Sequence, residues 1–334
     1  MKRAASGSME TQPERDTLEG IRQQLKHDGF ANVPVMSAEE AEQFAGELWT
    51  WLGGFGTGIT RDDVSSHTSK NWPPNIHGLI QRFGVGHCKT VWEIRCMEKI
   101  RQTFAGLWNC KTEDLLVSFD GVNVGKPYHA DKSWEHIDQA KEGSEFRCWQ
   151  GCVSLTDTDG GLKFYGGSHK VHSEYFKKQA SGDIETGWHK LTDEDKAWYL
   201  KQDGVTSDFV PSQAGYLTLW DSRTVHSGKR PTCGETRVCV YVCYAPWNWN
   251  CAPKNLQKEL RKKVEYFETR RMTKHSPLPA RVFGETFQHY GHPELLEKFK
   301  KQPTLDNTEV TEVMRGLIGY THLAKLQGIL YKGK

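Results

Sequence analysis

Three side chains in this sequence could share one metal ion. Tyr128-His129-Ala130-Asp131 sets a histidine and a carboxylate two residues apart. At a strand end such residues point to the same face, so His129 and Asp131 can chelate one ion from one side. Val225-His226-Ser227, just past the apolar run Tyr216–Trp220, supplies a third ligand. Two histidines and one carboxylate on one face of an octahedron leave three positions open. That is the ligand set of mononuclear non-haem Fe(II) centres, which can take a bidentate 2-oxo acid together with O2. In isolation a His-x-Asp pair is a weak signal, and a satisfied or surface histidine is its commoner explanation.

A second feature bears on the same chemistry. Thr236-Arg237 opens a β-rich run eleven residues after His226. Strand alternation points Arg237 inward with Cys239 and Tyr241, and turns Val238, Val240 and Val242 the other way. An arginine inside a β core needs an anion. Two partners present themselves. One is the distal carboxylate of 2-oxoglutarate, which a guanidinium grips with two parallel hydrogen bonds. The other is a protein carboxylate such as Asp221.

Four stretches in this order resemble the phytanoyl-CoA dioxygenase family of Fe(II)/2-oxoglutarate oxygenases. They are Lys126-Pro127-Tyr128-His129-Ala130-Asp131, Cys148-Trp149-Gln150-Gly151, the run Gly160-Gly161-Leu162-Lys163-Phe164-Tyr165-Gly166-Gly167-Ser168-His169-Lys170, and Leu219-Trp220-Asp221-Ser222-Arg223-Thr224-Val225-His226 continuing to Arg237. The likeness covers residues 115–247 well, and the N-terminal helix with its Gly29-Phe30 entry more loosely. It implies a mainly β fold with flanking helices, built on a double-stranded β-helix (a cupin-like jelly roll). It implies that His129, Asp131 and His226 hold Fe(II) and that Arg237 binds the C5 carboxylate of 2-oxoglutarate. The implied reaction consumes O2, releases succinate and CO2, and hydroxylates a small-molecule substrate, with ascorbate as an optional stimulant. Lys126 stands where such enzymes often carry an amide, and either the cosubstrate's C1 carboxylate or an anionic substrate would suit it. Gln150 and Trp149 are placed to line the same pocket. His169 reads as structural, explained by capping and packing at its turn. Related halogenating enzymes replace the ligand carboxylate with a small residue, so Asp131 points to hydroxylation or a related oxidation.

The surrounding pattern fits a β core between helices. Leu18, Ile21 and Leu25 give helical spacing over 15–26, and Phe30–Val35 is extended. Ser37 and Glu40 form a capping-box pattern before a helix with Phe44, Leu48, Trp51 and Leu52 on one face. Residues 59–90, with Pro73-Pro74, read as a long loop of the kind that serves as a lid. Val91–Trp108 reads as one helix. Leu115–Phe119, Phe146–Leu155, Leu162–Tyr165, Tyr216–Trp220 and Arg237–Tyr244 read as strands. Within them lies an inserted helical segment over about 172–203. Beyond 254 the chain turns helical again, over Leu256–Arg271, Pro293–Lys301 and Val310–Tyr331. We read 1–14 as a flexible leader and 15–334 as one domain.

Composition narrows the alternatives. Hydrophobic residues make up 37% and charged residues 26% of 334, an ordinary globular balance. Forty-four basic against 42 acidic residues give a net charge of +2, which offers no global attraction to nucleic acid or membrane. No run is apolar enough for a membrane span, and the first fifteen residues lack the apolar stretch of a secretory signal. Nine thinly spread cysteines fit reduced thiols in an intracellular, cytoplasmic setting. Cys148/Cys152 and Cys239/Cys243 are four apart on strands, a separation of about 13 Å that keeps each pair off a shared zinc. Gly54-Phe55-Gly56-Thr57-Gly58 matches no nucleotide loop, and no Gly-x-Ser-x-Gly elbow is present. Two other classes stay open: a barrel that binds or regulates without turnover, and an oxygenase of a protein or nucleic acid. Charge near zero does not favour the nucleic-acid case. Neither oligomeric state nor substrate identity is written in the sequence.

Overall fold

The computed structural model describes residues 14–125, 134–140, 145–178, 187–232, 234–283, 299 and 304–332. Two antiparallel sheets face each other. The larger runs β1 (Phe30–Pro34), β10 (Tyr216–Asp221), β6 (Trp149–Ser154), β12 (Arg237–Val242), β4 (Val122–Gly125) and β2 (Leu79–Ile80). The smaller runs β8 (Gly187–Lys190), β5 (His136–Ala140), β11 (His226–Lys229), β7 (Thr158–Gly166) and β9 (Thr206–Ser212). A ribbon of β3 (Leu115–Val117) and β13 (Tyr244–Pro246) stands beside them. From β4 to β7, and again from β10 to β12, each successive strand joins the opposite sheet. That winding makes a jelly roll.

Alternation along β12 explains why the two sheets enclose a space. Val238, Val240 and Val242 pack outward, with Val153, Leu217 and Leu219, into the main apolar core against the helices. Cys239 and Tyr241 turn inward with Cys152, Leu162, Phe164 and Trp220. The outer core is closed by α1 (Leu18–His27), α2 (Ala38–Gly53), α3 (Lys89–Cys96), α4 (Glu98–Trp108) and, from the C-terminal part, α7 (Pro253–Glu268) and α8 (Glu312–Ile318). The predicted capping box is present, with Ser37 and Glu40 bonded reciprocally at the start of α2.

Several expected elements take a different form. The single helix over 91–108 is two, because Met97 adopts φ −57°, ψ 129° between α3 and α4. The helix over 310–331 is also two, α8 and α9 (Tyr320–Lys332), because Gly319 at φ 113° ends α8 in the left-handed conformation. The inserted segment holds α5 (His172–Lys178) and α6 (Asp193–Tyr199), but between them β8 pairs with β5 and extends the smaller sheet. The long loop supplies β2 and places Trp72 in the core against Trp49. Of the stretch 293–301 only Phe299 is described, fully buried among Phe55 and Phe83. No helix among the described residues is long and apolar enough to cross a membrane.

Gly29 ties the N-terminal entry to the turn that precedes β11. Its carbonyl accepts from the Asp221 amide at 2.9 Å and the Thr224 hydroxyl at 3.0 Å. Its φ is +81°, and a Cβ there would lie 2.6 Å from Thr224 Oγ1 and closer still to His169 Nδ1. Gly29→Ala therefore combines left-handed strain with a clash and should cost about 2 kcal/mol of stability. A urea titration should show a lower midpoint with an unchanged slope.

Candidate metal centre

The register of the smaller sheet builds the centre. β5 and β11 are antiparallel, and His136 lies directly opposite His226, with ring centroids 4.4 Å apart. Asp138, two residues along β5, points to the same side. One ligand atom from each of His136, Asp138 and His226 lies within 4.8 Å of the others. All three side chains are nearly buried, at 6–7% exposure, so the group is held inside the barrel.

Backbone carbonyls set the imidazole rings. His136 Nδ1 lies 3.1 Å from the Trp134 carbonyl and His226 Nδ1 lies 2.9 Å from the Thr224 carbonyl. A carbonyl can only accept, so each Nδ1 carries the proton and each Nε2 keeps its lone pair. Both Nε2 atoms face Asp138, at 3.7 Å from Oδ1 for His136 and 3.4 Å from Oδ2 for His226. Burial, reinforced by His226, lowers the His136 pKa to about 3, so the ring is neutral. Burial alone would raise Asp138, but His275 above all holds it well below the usual carboxylate range. Two imidazoles that present Nε2 and an ionised carboxylate, converging on one point, fit a divalent transition metal.

The larger sheet supplies the opposite wall. Gln150 on β6 donates its amide to Asp138 Oδ2 at 2.9 Å, and its own Oε1 is buried without a partner. His275, from the segment after α7, stands between two carboxylates, with Nδ1 2.9 Å from Asp120 Oδ2 and Nε2 3.3 Å from Asp138 Oδ1. Burial would lower its pKa, but Asp138 and Asp120 override this and hold it well above the imidazole range. Trp220 and Phe164 flank His226. Trp134 stacks on His136 at 4.8 Å and on His77 at 4.4 Å, and Trp188 lies 5.7 Å from His136.

Arg237 is buried inside the barrel, at 1% exposure. Its Nη2 lies 3.8 Å from Cys152 Sγ, and its Nε has no partner. Tyr241 also bonds to the guanidinium. Among the described residues no carboxylate pairs with it. The candidate Asp221 is engaged elsewhere, accepting Arg223 Nε at 2.9 Å and Nη2 at 2.6 Å. A Cβ on Gly228 would lie 3.9 Å from Arg237 Nη1, so the guanidinium sits beside the residue two beyond His226 on β11.

Of the residues singled out in the sequence, the structure brings His226, Gln150 and Arg237 to one interior. His129, Asp131 and Lys126 lie outside the described residues. Among the described residues, the His-x-Asp pair beside His226 is the second one in the sequence, His136-Ile137-Asp138, which sequence reasoning passed over. Its signal was Ile137, a β-branched residue between the ligands, fully buried on the opposite face of the strand. His275 was missed too, and nothing in Thr273-Lys274-His275-Ser276 marks it. His169 lies beneath Gly29, its Nε2 3.2 Å from the Lys26 carbonyl. Trp134 stands at the site, Trp72 is in the core and Trp247 stacks on His322, while Trp149, expected to line the pocket, packs against the outer core and Phe146. Cys152 meets Cys239 between neighbouring β6 and β12, Cys148 meets Cys243 just outside those strands, and all four are free thiols.

Comparison with known proteins extends the picture. Residues 88–239 match the phytanoyl-CoA dioxygenase (PhyH) family. Ava biosynthesis cluster protein O of Aspergillus versicolor is 32% identical over 224 residues, covering 64% of this chain and 72% of that protein. Among solved structures, a putative oxidoreductase from Salmonella typhimurium LT2 superposes with a TM-score of 0.57 at 12% identity, covering 89% of this chain and 82% of the other. The epimerase SnoN, in complex with Fe3+, alpha ketoglutarate and nogalamycin RO, gives a TM-score of 0.46 at 20% identity over 71% of this chain and 86% of its own. The chain thus belongs to the phytanoyl-CoA dioxygenase family and is a non-haem iron oxygenase that depends on 2-oxoglutarate.

Proposed function

We propose that the protein hydroxylates a small-molecule substrate at a centre where His136, Asp138 and His226 hold Fe(II) and Arg237 holds 2-oxoglutarate. The observation that carries this reading is the convergence of those three ligand atoms within 4.8 Å, with both imidazoles turned by backbone carbonyls to present Nε2. Iron bound there would supply, with 2-oxoglutarate and O2, the oxidising power to break an unactivated C–H bond. The chain's own part is to position and to exclude. Gln150 fixes one oxygen of Asp138. Arg237 offers a buried cation with no carboxylate partner among the described residues, beside Gly228, which lies two positions along β11 from His226. That offset, about 7 Å along a strand, suits a diacid chelating the metal at one end and pairing with the guanidinium at the other. Trp134, His77 and Trp188 give the region around His136 flat apolar faces suited to an organic substrate. A substrate of that kind accords with the relative named for a biosynthesis cluster. The retained carboxylate ligand supports hydroxylation.

Anaerobic titration of the Fe(II)-loaded protein with 2-oxoglutarate should produce a weak visible charge-transfer band. Bound iron without such a band would mean that the cosubstrate does not chelate the metal, and would favour a barrel that binds without turnover. His136→Ala and Asp138→Ala should each abolish Fe(II) binding with the fold intact, whereas His129→Ala and Asp131→Ala should retain it. The reverse pattern would move the assignment to the first His-x-Asp pair. Arg237→Ala should weaken 2-oxoglutarate about 100-fold, the loss expected for two charge-assisted hydrogen bonds, while Fe(II) affinity holds. An unchanged 2-oxoglutarate affinity would remove Arg237 as the anchor.

A further inference from the structure

We propose that His275, braced by Asp120, is a positioning residue that fixes the carboxylate of Asp138 for metal binding. The inference rests on the assignment of Asp138 as a ligand. His275 lies beyond the residues matched to the family, in a segment that sequence reasoning left without a role. Its two ring nitrogens face two carboxylates, Asp120 at 2.9 Å and Asp138 at 3.3 Å. Carboxylate oxygens only accept, so the ring donates to both.

Both ends of this bridge are anchored. Asp120 Oδ1 accepts the Gly121 amide at 2.7 Å, which leaves Oδ2 for the imidazole. The segment that carries His275 is pinned to the same place. Thr273 accepts the Phe119 amide on its hydroxyl at 2.9 Å and donates its own amide to the Phe119 carbonyl at 3.0 Å. The Lys274 amide bonds the Arg281 carbonyl at 2.8 Å. His275 therefore has little freedom to swing away.

The consequence falls on Asp138. The terminal torsion of an aspartate is broad, so a carboxylate left to itself rotates. An ionised carboxylate has about four lone-pair sites. Gln150 occupies one on Oδ2 and His275 one on Oδ1, from different elements. Together they set the plane of the group, and the remaining lone pairs face the Nε2 atoms of His136 and His226. Partners of this kind raise metal affinity by orienting a ligand they do not replace.

The test is a Co(II) titration of the full chain, followed by the metal's visible absorption, with thermal melting of each variant alongside. His275→Ala should raise the Co(II) Kd by about 10- to 100-fold. His275→Gln, which keeps one donor, should raise it less. Asp120→Ala should weaken binding in the same direction, and the double variant should match His275→Ala instead of multiplying the two losses, because the residues act in series. The charge-transfer band of the Fe(II)–2-oxoglutarate complex should shift in His275→Ala. A role confined to anchoring the C-terminal segment would lower the melting temperature and leave Kd and band in place. That result in His275→Ala, or in His275→Gln should the alanine variant not fold, overturns the proposal while Asp138→Ala still abolishes Co(II) binding. Wild-type Co(II) affinity in Asp138→Ala would instead overturn the ligand assignment itself, and this inference with it.

Discussion

A carboxylate buried between two sheets is the constraint around which the interior is arranged. Left alone, Asp138 would bear a desolvation penalty of several kcal/mol or take up a proton. It does neither, because every neighbour brings a positive or polar group to it: two imidazoles from the smaller sheet, an amide from the larger, and a third imidazole from beyond α7. Remove the charge and the grouping of so many nitrogens inside a barrel has no physical reason. Keep it, and the same nitrogens define where a cation belongs.

The two-faced character of β12 supports this in another way. Valines on one side weld the larger sheet to the helices, and the alternate residues, Arg237, Cys239 and Tyr241, lie in the barrel interior. Rigidity and chemistry are carried by alternate residues of one strand. The helical layer can therefore bury a large apolar surface without intruding on the centre. The polar interior, costly by itself, is offset by the packing outside it.

Much of this was legible in the sequence. Short β-rich runs marked β6, β7, β10 and β12, and the capping box marked α2. The inward arginine followed from alternation along β12, and the late histidine from its place just past the apolar run of β10. That His136 and Asp138 stand beside His226 was not legible, because what brings them there is the register of strands far apart in sequence, and composition near the motif does not encode that. β9 escaped for a simpler reason: Thr206–Ser212 is an edge strand with a proline and only Phe209 and Val210 as large apolar residues, so its apolar signature is weak. His275 escaped because its role comes from where Thr273 and Phe119 fasten the chain.

That fastening also has a bearing on how the molecule comes into being. A ribosome releases β5 before β11, and both long before residue 275. The β-sandwich can close and bring its two histidines together while the last occupant of the cavity is still unmade. If its strands do pair first, the nascent chain passes through a state that can meet metal before it can grip it well. Full affinity for the ion would then be reached late, when the C-terminal segment docks on Phe119, and not during collapse of the barrel.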